Sequence, residues 1–318
     1  MMKQNSKTIL KCQISGQKDL KPILSLGYLP PVNNFRKINS MDMEETFYPA
    51  NLMYSPSSKL VQINTIVNKE TVFPKEYPYT SSTTKILREN FKELYTETKK
   101  IVNISNKDLV IDIGSNDGNL LNNFKKKHKV LGITPEKIGK IAIKKGINTL
   151  IKYFDKSTTK LILKKYGKAK IITATNVFAH IADVHSVMKN ILKILDQEGV
   201  FISESHYLVS LLKTNQYDTI YHEHLRYYSL TSLSNLFKKY GLKIIHAKKI
   251  PTHGGSIRVY AARSNKYKIN KNVKKIFDSE KKFLTLKSFN NFKNRVVKSK
   301  IDLYSILKKL KGKKKIIY

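Results

Sequence analysis

The stretch Leu109-Val110-Ile111-Asp112-Ile113-Gly114-Ser115-Asn116-Asp117-Gly118-Asn119-Leu120-Leu121 constrains this chain more than any other. Its apolar run has the continuity of a strand buried on both faces, and an acid, Asp112, precedes a glycine-framed turn and a second apolar segment. Strand, tight turn and helix is the reading. The spacing is Gly-x-x-x-Gly rather than the Gly-x-Gly-x-x-Gly of a dinucleotide pyrophosphate loop, and no Lys-Ser or Lys-Thr follows to make a phosphate loop. A nucleoside without phosphates suits this turn better. An ordinary strand-to-helix turn of an α/β domain has the same outline.

From residue 109 the pattern alternates as a parallel α/β domain requires. Strands are expected at 109–113, 129–134, 147–151, 169–175 and 199–204, with lysine-rich helices around 118–127, 136–145, 156–166 and 183–195. Residues 242–248 and 256–263 have no helix between them and read as a final antiparallel hairpin. Before the sheet, residues 84–101 carry apolar residues at helical spacing, and residues 1–76 are short apolar pieces broken by turns, the outline of a small loop-rich domain. Beyond Arg263 the chain reads as helical and strongly basic.

Lys plus Arg number 60 against 23 for Asp plus Glu, a formal charge of +37, which on its face points to nucleic acid or an anionic surface. Only six of the 60 are Arg, and Lys, Ile and Asn abound together as AT-rich coding produces. Many lysines also recur at the spacing of solvated helix faces, so nucleic acid is not the expected partner. Cys12 is the single cysteine, which excludes an internal disulfide and leaves any cysteine-built zinc site incomplete. With no apolar signal core and no run of roughly 20 apolar residues, a cytoplasmic protein without a membrane span is expected.

In a doubly wound sheet, ligands sit at the carboxyl ends of the strands. The second strand ends Thr134-Pro135-Glu136, and the fourth ends Thr175-Asn176-Val177-Phe178-Ala179-His180. The densest polar cluster is Asp218-Thr219-Ile220-Tyr221-His222-Glu223-His224-Leu225-Arg226-Tyr227-Tyr228-Ser229. His-x-His lacks a third ligand at helical spacing, so no metal is assigned; Tyr, Glu and His within four residues supply a donor, an orienting carboxylate and a base, as proton abstraction needs. A polar helix start packed on the sheet is the plainer alternative.

Asp112-x-Gly114-x-x-x-Gly118 after a first strand resembles the opening motif of class I S-adenosylmethionine (AdoMet) methyltransferases. That resemblance places Asp112, Gly114, Ser115, Asn116 and Gly118 at the cofactor, with Asn176 beside it and Thr134 where relatives keep a ribose-binding acid, unless Glu136 reaches in. Tyr221-His222-Glu223-His224, Asn176-Val177-Phe178-Ala179-His180, Pro251-Thr252-His253-Gly254-Gly255-Ser256-Ile257-Arg258-Val259-Tyr260 and Tyr77-Pro78-Tyr79-Thr80-Ser81-Ser82 together resemble the sugar C-methyltransferases, which build branched deoxysugars on nucleotide carriers. The likeness runs from about Lys11 to Tyr318.

It implies three parts: a small zinc-binding-like domain at 1–76, a Rossmann-like AdoMet domain at 77–263, and at 264–318 the helical start of a C-terminal domain cut short at Tyr318. It also implies AdoMet as cofactor, a nucleotide-linked ketodeoxysugar as substrate and His224 as the base. Tyr221, Glu223, His180 and one of Tyr77 or Tyr79 would surround the sugar, with Asn33, His253 and Arg258 on the substrate side. Glu223 would hold the His224 ring, and Tyr221 or His180 would donate to the enolate oxygen. The two Cys-x-x-Cys pairs of the family's zinc domain read here as Cys12-Gln13-Ile14-Ser15 and Ser55-Pro56-Ser57-Ser58, so no zinc is expected. An RNA or protein methyltransferase, or a remnant without catalysis, remains open at this point.

Overall fold

The computed structural model describes residues 5–33, 45–73, 80–263 and 265–312. Its centre is a seven-stranded sheet built from Leu109–Ile113 (β1), Lys129–Thr134 (β2), Thr149–Ile151 (β3), Ala169–Thr175 (β4), Leu195–His206 (β5), Lys243–Ile250 (β6) and Ser256–Ala262 (β7). The strands lie in the order β3-β2-β1-β4-β5-β7-β6, and β7 is antiparallel to both its neighbours. This order, with its final antiparallel hairpin, is the Rossmann-like sheet that the sequence resemblance implies.

Successive residues of β1 feed opposite faces. Leu109, Ile111 and Ile113 pack with Phe178, Met188 and Ile191, while Val110 packs with Phe91, Leu94, Leu121 and Phe124. A strand covered on both sides has no solvent face for polar residues, which is why the run is continuous. One cover is the helix Lys85–Ile101, whose Leu87, Phe91, Leu94 and Thr98 recur every three or four residues and are buried.

The segment after the glycine turn departs from the expected helix at 118–127. Only a single 3-10 turn forms, at Leu121–Asn123. The Asn123 side-chain amide donates to the carbonyls of Asn119 and Leu120, so a local side-chain bond competes with the α-helical ladder. Likewise the helix expected at 136–145 spans only Gly139–Lys144, because Glu136 turns back to take a hydrogen bond from Thr134.

The first residues form a second sheet from Lys21–Leu29, Tyr48–Ser55 and Leu60–Ile63, and its fourth strand is Arg226–Tyr227, paired antiparallel to Leu60–Ile63. The polar cluster therefore turns and joins this sheet at Arg226–Tyr227, and its last residue, Ser229, caps the helix Leu230–Lys238. The C-terminal helix Leu286–Gly312 lays Phe289, Phe292 and Val296 against Leu24, Leu52, Tyr54 and Val61 of the same sheet. Thus the N-terminal sheet, the polar cluster and the last helix share one apolar core.

At the corner where the resemblance places a metal, Cys12 Sγ lies 3.0 Å from Ser58 Oγ, and the Ser58 hydroxyl is 3.2 Å from that of Ser55. Ser55 in turn donates to Asp19 at 2.9 Å, and Ser57 donates to Ser15 at 3.0 Å. One thiol and three neutral hydroxyls do not make a zinc donor set, and these groups are occupied with one another. Among the described residues, no three His, Cys, Asp or Glu side chains are arranged to hold a metal ion, and no helix is long and apolar enough to cross a membrane.

Candidate active site

The strand order reverses between β1 and β4, so the crevice at their carboxyl ends is the place for a ligand. Gly114 has a left-handed φ of +76°, and a Cβ there would overlap the Val177 side chain. Only glycine lets the turn after β1 and the loop after β4 meet this closely. Opposite it, Asn176 also takes a left-handed φ of 55°, fixed by its N–H donating to the Glu204 carbonyl at 2.8 Å. The N–H groups of Gly114 and Ser115 are held by the Ile133 carbonyl of β2 at 2.7 and 3.0 Å.

Several cofactor-side residues serve the turn itself. Asp112 is buried and accepts the Thr173 hydroxyl at 2.6 Å, tying β1 to β4, and burial pushes its carboxyl up to about 7. Its side chain turns into the sheet rather than toward a cofactor. Asn116 accepts the Ser81 N–H at 2.9 Å, while Asp117 accepts the Ser81 hydroxyl at 2.6 Å and Lys145 Nζ at 2.9 Å. The loop entering from residue 80 is thereby anchored on the turn. Tyr77 and Tyr79, just ahead of it, lie outside the described residues.

At the end of β2, Thr134 is fully buried and its hydroxyl donates to Glu136, which corrects the expectation that Thr134 itself faces a ribose. Thr134 steers Glu136, and a carboxylate with two acceptor oxygens at this strand end suits vicinal hydroxyls.

Beyond β4 stands a group of aromatic and imidazole rings. His224 and His180 have ring centroids 5.0 Å apart, and Tyr221 and His224 are 4.2 Å apart. His224 Nδ1 lies 2.8 Å from the Thr219 carbonyl, which can only accept, so the neutral ring carries its proton there and presents Nε2 as the lone pair. The Tyr221 hydroxyl sits 3.3 Å from that Nε2. Burial, reinforced by neighbouring histidines, drives His224 down to about 3, and burial drives His180 down to about 4, so both are neutral at pH 7.

Glu223 does not orient His224 as expected. Its carboxylate accepts the Asn33 amide and its backbone carbonyl accepts His180 Nδ1–H at 2.8 Å, so Glu223 joins Asn33 and His180 to the group while Thr219 holds His224. His222 faces the other way, with Nε2 3.1 Å from the Pro49 carbonyl and its ring against Tyr48.

Arg258, expected on the substrate side, has no exposed surface. It donates to Glu204 at 2.9 Å, Glu97 at 3.0 Å and Asn90 at 2.7 Å beneath the sheet. His253 is exposed on a left-handed turn with φ 54°, next to Gly254, whose carbonyl accepts from the Gln216 that pairs with His206. Sequence reasoning gave no role to Arg226, a buried guanidinium that donates to the carbonyls of Phe178 and Ile181 on either side of His180. It also missed His206 and Gln216. The strand expected at 199–204 stopped two residues short of His206, whose place at the carboxyl end of β5 was the available signal.

Residues 85–247, more than half of the chain, match the family model of a methyltransferase domain. Residues 12–73 match a zinc binding domain model and residues 251–318 a C-methyltransferase C-terminal domain model. The chain is 30% identical over 254 residues to C-methyltransferase NovU of Streptomyces niveus, a match covering 79% of this chain and 60% of that protein. It thus spans less than two thirds of that relative. Among solved structures it is similar to the magnesium protoporphyrin IX methyltransferase of Synechocystis PCC 6803, with TM-score 0.45 and 13% identity over 56% of this chain and 83% of that one. It is also similar to the PH0226 protein of Pyrococcus horikoshii OT3, with TM-score 0.46 and 14% identity over 61% of this chain and 98% of that one.

Proposed function

The chain belongs to the methyltransferase-domain family, and from its match to a C-methyltransferase C-terminal domain model and its likeness to a C-methyltransferase we propose that it methylates, from AdoMet, a carbon next to the carbonyl of a nucleotide-linked ketodeoxysugar. One observation carries the reading: His224, locked by Thr219 with its Nε2 lone pair toward Tyr221, at the ligand edge of the sheet. The residues on the cofactor side fit AdoMet. The Gly114 to Gly118 turn offers close backbone, Glu136 offers two acceptors for ribose hydroxyls, and Asn176 flanks the crevice. Bound there, AdoMet supplies an electrophilic methyl group to a nucleophilic carbon.

The residues of the chain do the proton work. His224 Nε2 takes the proton from the carbon beside the carbonyl, and the electron pair moves to the carbonyl oxygen as an enolate. The Tyr221 hydroxyl, which donates to Nε2 in the resting site, transfers its hydrogen bond to the carbonyl oxygen of the bound sugar, freeing the Nε2 lone pair for the proton and stabilising the enolate as it forms. A low resting pKa keeps the base unprotonated, and the enolate then supplies the negative charge that the imidazolium lacks in the resting site. His180, held by the Glu223 carbonyl, limits where the sugar ring can lie.

The test separates proton removal from methyl transfer. In D2O, without AdoMet, the protein should wash deuterium into the carbon next to the carbonyl of thymidine diphosphate 4-keto-6-deoxyglucose, followed by NMR. His224→Asn should slow that exchange by about 100-fold or more. Exchange undiminished in His224→Asn, or none in the unaltered protein, overturns the assignment.

A further inference from the structure

Three histidines from three separate segments, His180, His206 and His224, meet at this site with burial lowering the pKa of each, and a fourth, His253, stands exposed on the neighbouring turn. The base assignment uses His224 and leaves His206 unexplained. His206 is the last residue of β5, half-buried, with Nε2 2.7 Å from Gln216 Oε1.

The orientation of that amide follows from its other bonds. Gln216 Nε2 donates to the Gly254 carbonyl at 2.8 Å and to the Thr214 hydroxyl, so Oε1 is left to accept. Neutral His206 therefore carries its proton on Nε2 and keeps a lone pair on Nδ1, for which the described residues provide no partner. His224 has the opposite tautomer, with Nδ1–H bound by Thr219.

The support under His206 is rigid. A Cβ on Gly254 would come within 2.6 Å of Gln216 Nε2, and one on Gly255 within 2.6 Å of Ser210 Cβ, so the 252–255 turn lies tight against the helix Leu208–Thr214. Tyr207 N–H also donates to the Gly255 carbonyl at 3.0 Å. The turn can approach this closely only because both positions lack side chains.

We propose that His206 is a binding residue for the methyl acceptor, its Nδ1 accepting a hydrogen bond from a sugar hydroxyl, and that Gln216 is the positioning residue that fixes its tautomer. The proposal rests on the ketosugar reading above. It assigns the site two imidazoles of opposite tautomer, one set to take a proton from carbon and one set to accept a hydroxyl.

Gln and Asn distinguish the two ring nitrogens. His206→Gln keeps a donor near Nε2 and lacks an acceptor at Nδ1, whereas His206→Asn keeps an acceptor near Nδ1. Calorimetric titration with thymidine diphosphate 4-keto-6-deoxyglucose should show about tenfold weaker binding for His206→Gln and restoration toward the unaltered value for His206→Asn, with AdoMet affinity unchanged in both. In parallel, 15N NMR of the histidine rings should report a bare Nδ1 on His206 that moves on adding the same sugar nucleotide. If the sugar nucleotide binds and shifts His224 while His206 Nδ1 stays still, or His206→Asn behaves as His206→Gln, the assignment of His206 falls alone. If no histidine responds and no sugar nucleotide binds, the ketosugar reading fails and takes this proposal with it.

Discussion

Replacing Arg258 with Leu should be among the most damaging single changes in the chain, through folding rather than through substrate contact. The guanidinium is fully buried and donates to Glu204, itself fully buried, at 2.9 Å, to Glu97 at 3.0 Å and to Asn90 at 2.7 Å. Burial pushes the Glu204 carboxyl up, and Arg258 is the main group opposing that push. Without the guanidinium, Glu204 keeps only the Asn90 amide at 2.7 Å and faces an apolar surrounding as an uncompensated charge. Breaking a buried pair from one side costs about 3–5 kcal/mol, against a total folding stability of about 5–15 kcal/mol. Urea denaturation at pH 7, followed by circular dichroism, would read the loss as a lower midpoint at similar slope. Arg258→Leu combined with Glu204→Leu removes both charges and should recover at least about half of the loss. A single variant costing under about 1 kcal/mol, or a double variant as unstable as the sum of the singles, would refute the reasoning. Stability retained with sugar-nucleotide affinity lost would return Arg258 to the substrate side.

Purified protein should carry zinc well below one equivalent by elemental analysis, while a triple variant with Ser15→Cys, Ser55→Cys and Ser58→Cys should bind one equivalent and melt at a higher temperature. Stoichiometric zinc in the unaltered protein would defeat the first half. Glu136→Gln should weaken AdoMet by about tenfold or more in a titration, since a charge-assisted pair of bonds becomes neutral, and unchanged affinity would place the ribose elsewhere. His222→Asn should lower the melting temperature without the loss of exchange seen for His224→Asn, because His222 serves the Pro49 carbonyl and the Tyr48 ring; the reverse pattern would move the base. His180 and His224 have folded values of about 4 and 3 against 6.5 when unfolded, so as pH falls below 6.5 the unfolded chain takes up protons first. Stability should therefore fall from pH 6.5 toward pH 4, each histidine contributing on the order of 1 kcal/mol per pH unit, and replacing both with Asn should flatten that slope.

The sequence by itself determined the elements whose pattern is local. The apolar run of β1, the helix Lys85–Ile101 and the closing hairpin of the sheet follow from periodicity, since covering both faces of a strand or one face of a helix leaves a mark on consecutive residues. The ring group was legible too, because Tyr221, Glu223 and His224 are neighbours in the chain. What it could not carry was which way each side chain turns. Asn123 folding back on its own turn removed a helix, and the Thr219 carbonyl took the place expected for Glu223. Arg258, His206 and Gln216 depend on partners 10 to 168 residues away along the chain, distances over which no spacing rule operates. Only the tertiary structure decided that one conspicuous arginine lies beneath the sheet and that an unremarked histidine lies at its edge, because burial and hydrogen-bond satisfaction are properties of the packed chain, not of any segment of it.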